Sequence, residues 1–144
     1  MDRRDLIKTM GLAAIAPMLA TATDAAAQDG DVTAETVYEL RIYHLNEGKQ
    51  PLILNRFRSK ETKIFERHGM HPVAYWTPTD EPLAGRTLVY MLRHKSRDAA
   101  TESWKGFRDD PEWVALKAES EKDGVFVKQV ESTFLKLTDF SPRI

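Results

Sequence analysis

The chain has 144 residues, 42% hydrophobic and 30% charged, enough for one domain with its own core and too few for two. Its 21 basic and 22 acidic residues leave a net charge of −1, with no basic excess to hold a nucleic-acid backbone. The absence of cysteine excludes disulfides, thiolate zinc sites and cysteine nucleophiles.

Residues 1–27 have the features of an export signal. Asp2-Arg3-Arg4-Asp5-Leu6-Ile7-Lys8 is a charged start with paired arginines, and a mildly apolar run follows from Met10 to Ala20. That run is too short and too rich in alanine to span a bilayer, which takes about 20 apolar residues. Ala25-Ala26-Ala27 offers a small-residue cleavage site, most simply cut before Gln28. The arrangement resembles a twin-arginine signal, with Asp2 where Ser or Thr is usual. It predicts a periplasmic or secreted protein with no stable membrane span in its mature form. Residues 28–36 are polar and without periodicity, which predicts a disordered tether before a domain over 37–144.

Val37 to His44 alternates, with Tyr38, Leu40 and Ile42 on one side and Glu39, Arg41 and Tyr43 on the other. Period two predicts a strand whose apolar side faces a helix layer and whose mixed side is open. Asn46-Glu47-Gly48-Lys49 is turn chemistry, and Pro51 suits the first turn of a helix. Ile53, Leu54, Phe57, Ile64 and Phe65 then recur at helical spacing to His68, and Arg56, Lys60, Glu61, Lys63 and Arg67 are assigned to the exposed surface. Gly69 reads as a C′ cap and Pro72 bars continuation, so a second strand is expected over about Val73 to Thr77. After a Pro- and Gly-marked loop, Thr87 to Arg93 is the strongest strand. Ser96 caps a helix that restarts at Asp110-Pro111, Gly124 closes it, and a final strand runs from about Gln129 to Leu137. The order β-α-β-β-α-β predicts an α+β, ferredoxin-like domain: an antiparallel sheet with both helices on one face.

Tyr38-Glu39-Leu40-Arg41-Ile42-Tyr43, Gly48-Lys49, His68-Gly69-Met70, Tyr75-Trp76 and Asp110-Pro111-Glu112-Trp113 resemble, in order and spacing, the signature blocks of the NIPSNAP family. The likeness covers about Val37 to Leu137. It departs at Val73-Ala74, where a glycine is usual before Tyr-Trp, and at Met91-Leu92, where a tryptophan commonly precedes the arginine. The resemblance implies a dimeric α/β barrel, in which two subunits pack their open sheet faces together. Relatives in the wider superfamily include small monooxygenases and haem-degrading enzymes.

If the two strand faces coincide, Glu39, Arg41 and Tyr43 share a pocket with Arg93, and Tyr75 joins the ligand-binding set. Two arginines could grip a carboxylate or phosphate. Glu39, Tyr43 or His44 could serve as a base, with Arg41 or Arg93 holding an oxyanion. The plainer alternative is that Glu39 forms a buried structural bridge. His68 and His71 lose metal-ligand spacing because Gly69 and Pro72 break the helix, whereas His44 and His94 end strands and could approach each other. No motif calls for a metal or any cofactor, and a haem ligand is the weakest of the histidine assignments. Trp104, Phe107 and Trp113 are expected in the core. The sequence thus points first to an exported homodimer that binds a small polar or anionic ligand. A cofactor-independent monooxygenase or isomerase, and a structural or partner-binding dimer without catalysis, are the alternatives.

Overall fold

The computed structural model describes residues 32–144, so the expected signal over 1–27 lies outside the described residues. Where a disordered tether was expected, Thr33 to Thr36 close a turn through the Thr36 amide and the Thr33 carbonyl, and Thr36 is buried.

Strand β1 (Val37–Leu45) leads to α1 (Gln50–Arg56), a π-helical turn (Phe57–Glu61) and α2 (Thr62–Arg67). Then come β2 (His71–Trp76), β3 (Thr87–His94), α3 (Arg97–Asp109), α4 (Pro111–Ser120) and β4 (Val127–Leu135). The expected order holds, and the sheet is antiparallel with strand order β2-β3-β1-β4. The caps form as the sequence indicates. Ser96 accepts from the Ala99 amide, Asp110 accepts from the Glu112 amide, and Gly69 takes a φ of 78° as α2 ends. Strands β2 and β4 each begin two residues earlier than expected.

The sheet is oriented opposite to the expectation. Tyr43 and Leu45 of β1 join Leu88, Tyr90 and Leu92 of β3 in one buried cluster with Ile53, Phe57, Ile64, Phe65 and Phe107 of the helices. The odd-numbered side of β1, with Glu39 and Arg41, therefore lies under the helices. Leu40 and Ile42 stand on the open side, across from Met91 and Val89. Alternation establishes which residues share a face but not which face is covered. Leu45, one residue past the expected strand end, is the apolar residue that decides it.

The long helix after β1 is not continuous, because the π-helical turn widens it at Phe57–Glu61. Arg56 and Glu61, expected on the surface, are buried there and bond to each other. At the far end, Asp110 accepts from Arg67 Nη2 at 2.6 Å and meets His68 Nε2 at 2.7 Å, tying α2 to the start of α4. A Cβ on Gly106 would stand 2.7 Å from His68 Nδ1, so the glycine within α3 makes room for that ring.

Candidate functional site

The helix layer fills one half of the sheet and leaves a hollow over the other. Over β2 and β3, Phe57, Phe65, Tyr75 and Tyr90 pack edge to face, tilted or, for Phe65 on Tyr90, stacked, with ring centres 5.4 to 5.9 Å apart. Over β1 and β4, a cavity of about 440 Å³ opens beneath α3 and α4. Its walls are Trp104, Phe107, Trp113 and Phe134, and it receives Arg41, Arg97, Arg108 and Lys117. A neighbouring cavity of about 280 Å³ shares Tyr43, Trp113 and Lys117 with it and reaches Glu61. Strand β4 is an edge, and its Val130 remains 46% exposed because α4 does not cover it. Together the two cavities form one cleft. The aromatic residues Trp104 and Trp113, expected in the core, pack against it on one side and line this cleft on the other.

At one end of the cleft lies Glu39, 1% exposed and saturated with donors. Oε1 accepts from Arg41 Nη1 and Ser132 Oγ, each at 2.7 Å. Oε2 accepts from Trp104 Nε1 at 2.7 Å and from His94 Nε2 at 2.9 Å. A carboxylate only accepts, so His94 carries its proton on Nε2. Burial alone raises the Glu39 pKa, but the bonds from His94, Trp104, Ser132 and Arg41 outweigh it and hold the group at about 2. Glu39 is a fixed anion rather than a base. It also holds Arg41, whose guanidinium carbon sits 4.2 Å from the Trp104 ring centre and whose Nε has no partner.

At the other end lies Glu61, also 1% exposed. Its hydrogen bond comes from Arg56 Nε to Oε2 at 2.8 Å, and Arg56 Nη1 is shared with Glu121 and Ser120. Burial pushes the Glu61 carboxyl up to about 7, Arg56 restraining the rise and Glu121 adding to it. The Tyr43 hydroxyl accepts from Tyr90 at 2.7 Å, and burial raises its pKa, so it remains a protonated donor and not a base.

The structure brings together Glu39, Arg41 and Tyr43 of the residues singled out in the sequence. Arg93 pairs with Tyr38 on the open side of the sheet, because it has the opposite parity to Tyr90 and Leu92, and so it is not part of the cleft. Tyr75 faces the helices but packs into the filled half, against Phe57 and Tyr90. His44 is on the open side, 2.5 Å from Glu131. His44 and His94 stand at opposite ends of β1, beside Thr87 and across from Val37, and do not approach each other. Sequence reasoning missed Glu61, Arg97, Arg108 and Lys117. Glu61 had a signal: it lies four residues from both Phe57 and Phe65, in the apolar stripe. The three cations had none, since their convergence depends on how α3 and α4 cross the sheet.

The NIPSNAP family model matches residues 38–142. A NIPSNAP-like domain protein from Burkholderia xenovorans superposes with a TM-score of 0.66 at 16% identity, over 78% of this chain and 93% of that one. A NIPSNAP family protein from Agrobacterium tumefaciens gives 0.64 at 23% identity, over 75% and 93%. SnoaB, a cofactor-independent oxygenase from Streptomyces nogalater, gives 0.50 at 12% identity, over 76% and 100%. At such identities the likeness is one of fold. No curated protein is a significant match.

Proposed function

Because the chain belongs to the NIPSNAP family, we propose that it binds a small organic anion with a flat apolar part in the cleft between its own sheet and α3–α4. One observation carries this. Arg97, Arg108 and Lys117 line an aromatic-walled cavity, and none of them forms an ion pair with a carboxylate among the described residues. Arg97 lies 3.6 Å over the Phe134 ring, a planar cation held where it can meet a carboxylate or phosphate. Arg41 adds an unpartnered Nε at the inner end. Apolar walls with a few convergent polar groups are what a small-molecule site requires. The experiment is a titration with phenylpyruvate and with uncharged benzyl alcohol, read by tryptophan fluorescence from Trp104 and Trp113. The anion binds, the alcohol does not, and Arg97→Ala with Arg108→Ala weakens binding at least tenfold. Equal affinity in that double variant overturns the assignment.

The proposal extends to assembly and location. Leu40, Ile42, Val89 and Met91 stand part-exposed on the open side of the sheet, and Trp76 is 48% exposed beside them. Pairing two such faces about a two-fold axis removes both from water. Native mass spectrometry checks this, and a monomer at micromolar concentration sinks it. The paired arginines Arg3 and Arg4 support export to the periplasm or beyond. Export predicts that replacing both with lysine leaves the protein inside the cell on fractionation.

A further inference from the structure

The ligand cleft has a second end that the anion-binding reading leaves unused. There the π-helical turn places Glu61 against the 280 Å³ cavity, beside Tyr43 and Lys117. A π insertion within a helix shifts side chains off the regular α-helical register and often marks a functional position. A carboxyl buried in an apolar stripe, whose side-chain hydrogen bond among the described residues falls on Oε2 from Arg56 Nε, has Oε1 left for the cavity it lines. The contrast with Glu39 at the cleft's other end is direct, since all of that group's capacity is taken.

We infer that Glu61 is the acid–base residue of this cleft, exchanging a proton with a ligand that the cationic wall holds over Tyr43. The inference rests on the proposed ligand site. The charged groups around Glu61 come from several elements. Arg56 and, at longer range, Arg41 favour its anionic form, and Glu121 opposes it. Lys117 and Lys128 line the same cavity from α4 and β4, as does Tyr43 from β1, and Tyr75 and Tyr90 feel the Glu61 charge from the filled half of the layer; burial raises all three phenols and keeps them neutral. The balance leaves the carboxyl titrating at about 7, where it can both take and return a proton.

With a 2-oxo acid the step is an enolisation. The Glu61 carboxylate takes the proton on C3, the C3–H electron pair becomes the C2=C3 bond, and the carbonyl pair moves to oxygen as an enolate. Tyr43 O–H and Lys117 are the donors placed to receive that oxygen. Returning a proton to C3 restores the keto form, so the step consumes no oxidant or reductant.

The test is exchange of the phenylpyruvate C3 hydrogen for deuterium in D2O, followed by proton NMR, alongside the fluorescence titration. The wild-type chain exchanges it at least tenfold faster than buffer, with a rate that rises through about pH 7. Glu61→Gln binds the acid as before and exchanges it at the buffer rate. Should that variant fail to fold, the wild-type pH profile decides: an inflection near 7 supports Glu61, and one in the ordinary carboxylate range overturns it. Binding without faster exchange overturns the role of Glu61 and leaves the binding site standing. Absence of binding removes the site itself, and the acid–base role with it.

Discussion

Glu39 and Glu61 are two buried carboxyls at opposite ends of one cleft, and they are held in opposite states. Four donors drive Glu39 down to about 2, whereas one arginine, shared with Glu121, leaves Glu61 at about 7. Burial raises both carboxyls; the heavier desolvation at Glu61, restrained by one arginine, prevails there, whereas at Glu39 four donors outweigh it. The Glu39 end of the cleft is a rigid support that orients Arg41, Trp104 and His94. The Glu61 end keeps one oxygen and one proton uncommitted, as a site of chemistry requires.

The largest effect is expected from removing the Glu39 charge. Glu39→Gln leaves Arg41 buried beside no anion and costs about 3–5 kcal/mol, as measured by urea unfolding at neutral pH. A loss under about 1 kcal/mol would mean that the four bonds do not act on a charged group. The pH dependence has a definite sign. A carboxyl at about 2 in the fold and 4.5 when free gives stability that is present above 4.5 and lost as pH falls toward 2. At roughly 1.4 kcal/mol per pKa unit, that limb is worth about 3 kcal/mol.

Glu61 gives the opposite slope and so sharpens the comparison. Its carboxyl sits at about 7 in the fold against 4.5 when free, so its contribution is present below 4.5 and lost as pH rises through 7. Relative to Glu61→Gln, the wild-type chain should lose about 3 kcal/mol or less between pH 4.5 and 8. Chemical denaturation of both proteins across that range measures it. Parallel curves would show that Glu61 titrates as an ordinary surface acid.

Much of this fold is legible in the sequence, because its punctuation is local. Gly69, Pro72, Ser96 and the Asp110-Pro111 pair act on their own backbone, so element order and caps follow from them directly. The facing of the sheet is not local. In β1, Leu40 and Ile42 look like core residues, yet Tyr43 and Leu45 are the ones that meet the helices. Leu40 and Ile42 then point to the open side of the sheet, with Met91 and Val89. The cleft was half legible. Glu39, Arg41 and Tyr43 alternate on one strand and can be grouped from spacing alone. Arg97, Arg108 and Lys117 come from two helices, and no single-sequence pattern encodes how those helices bring them to one cavity.

The smallest predicted effect tests the donor-count argument most directly. Ser132 is on the exposed edge strand, and its hydroxyl gives Glu39 one of its four bonds, at 2.7 Å. Ser132→Ala removes that donor without touching the buried ones, and water can reach the vacated position. The stability cost at neutral pH should therefore be small, about 0.5–1 kcal/mol. The acid limb carries the sharper signal. With one lowering contribution gone, the Glu39 pKa rises toward its ordinary value, so the loss of stability on acidification begins at higher pH than in the wild-type chain. An acid limb that stays in place while neutral stability drops would assign the effect of Ser132 to packing along the edge, and would leave burial and the three remaining donors to account for Glu39.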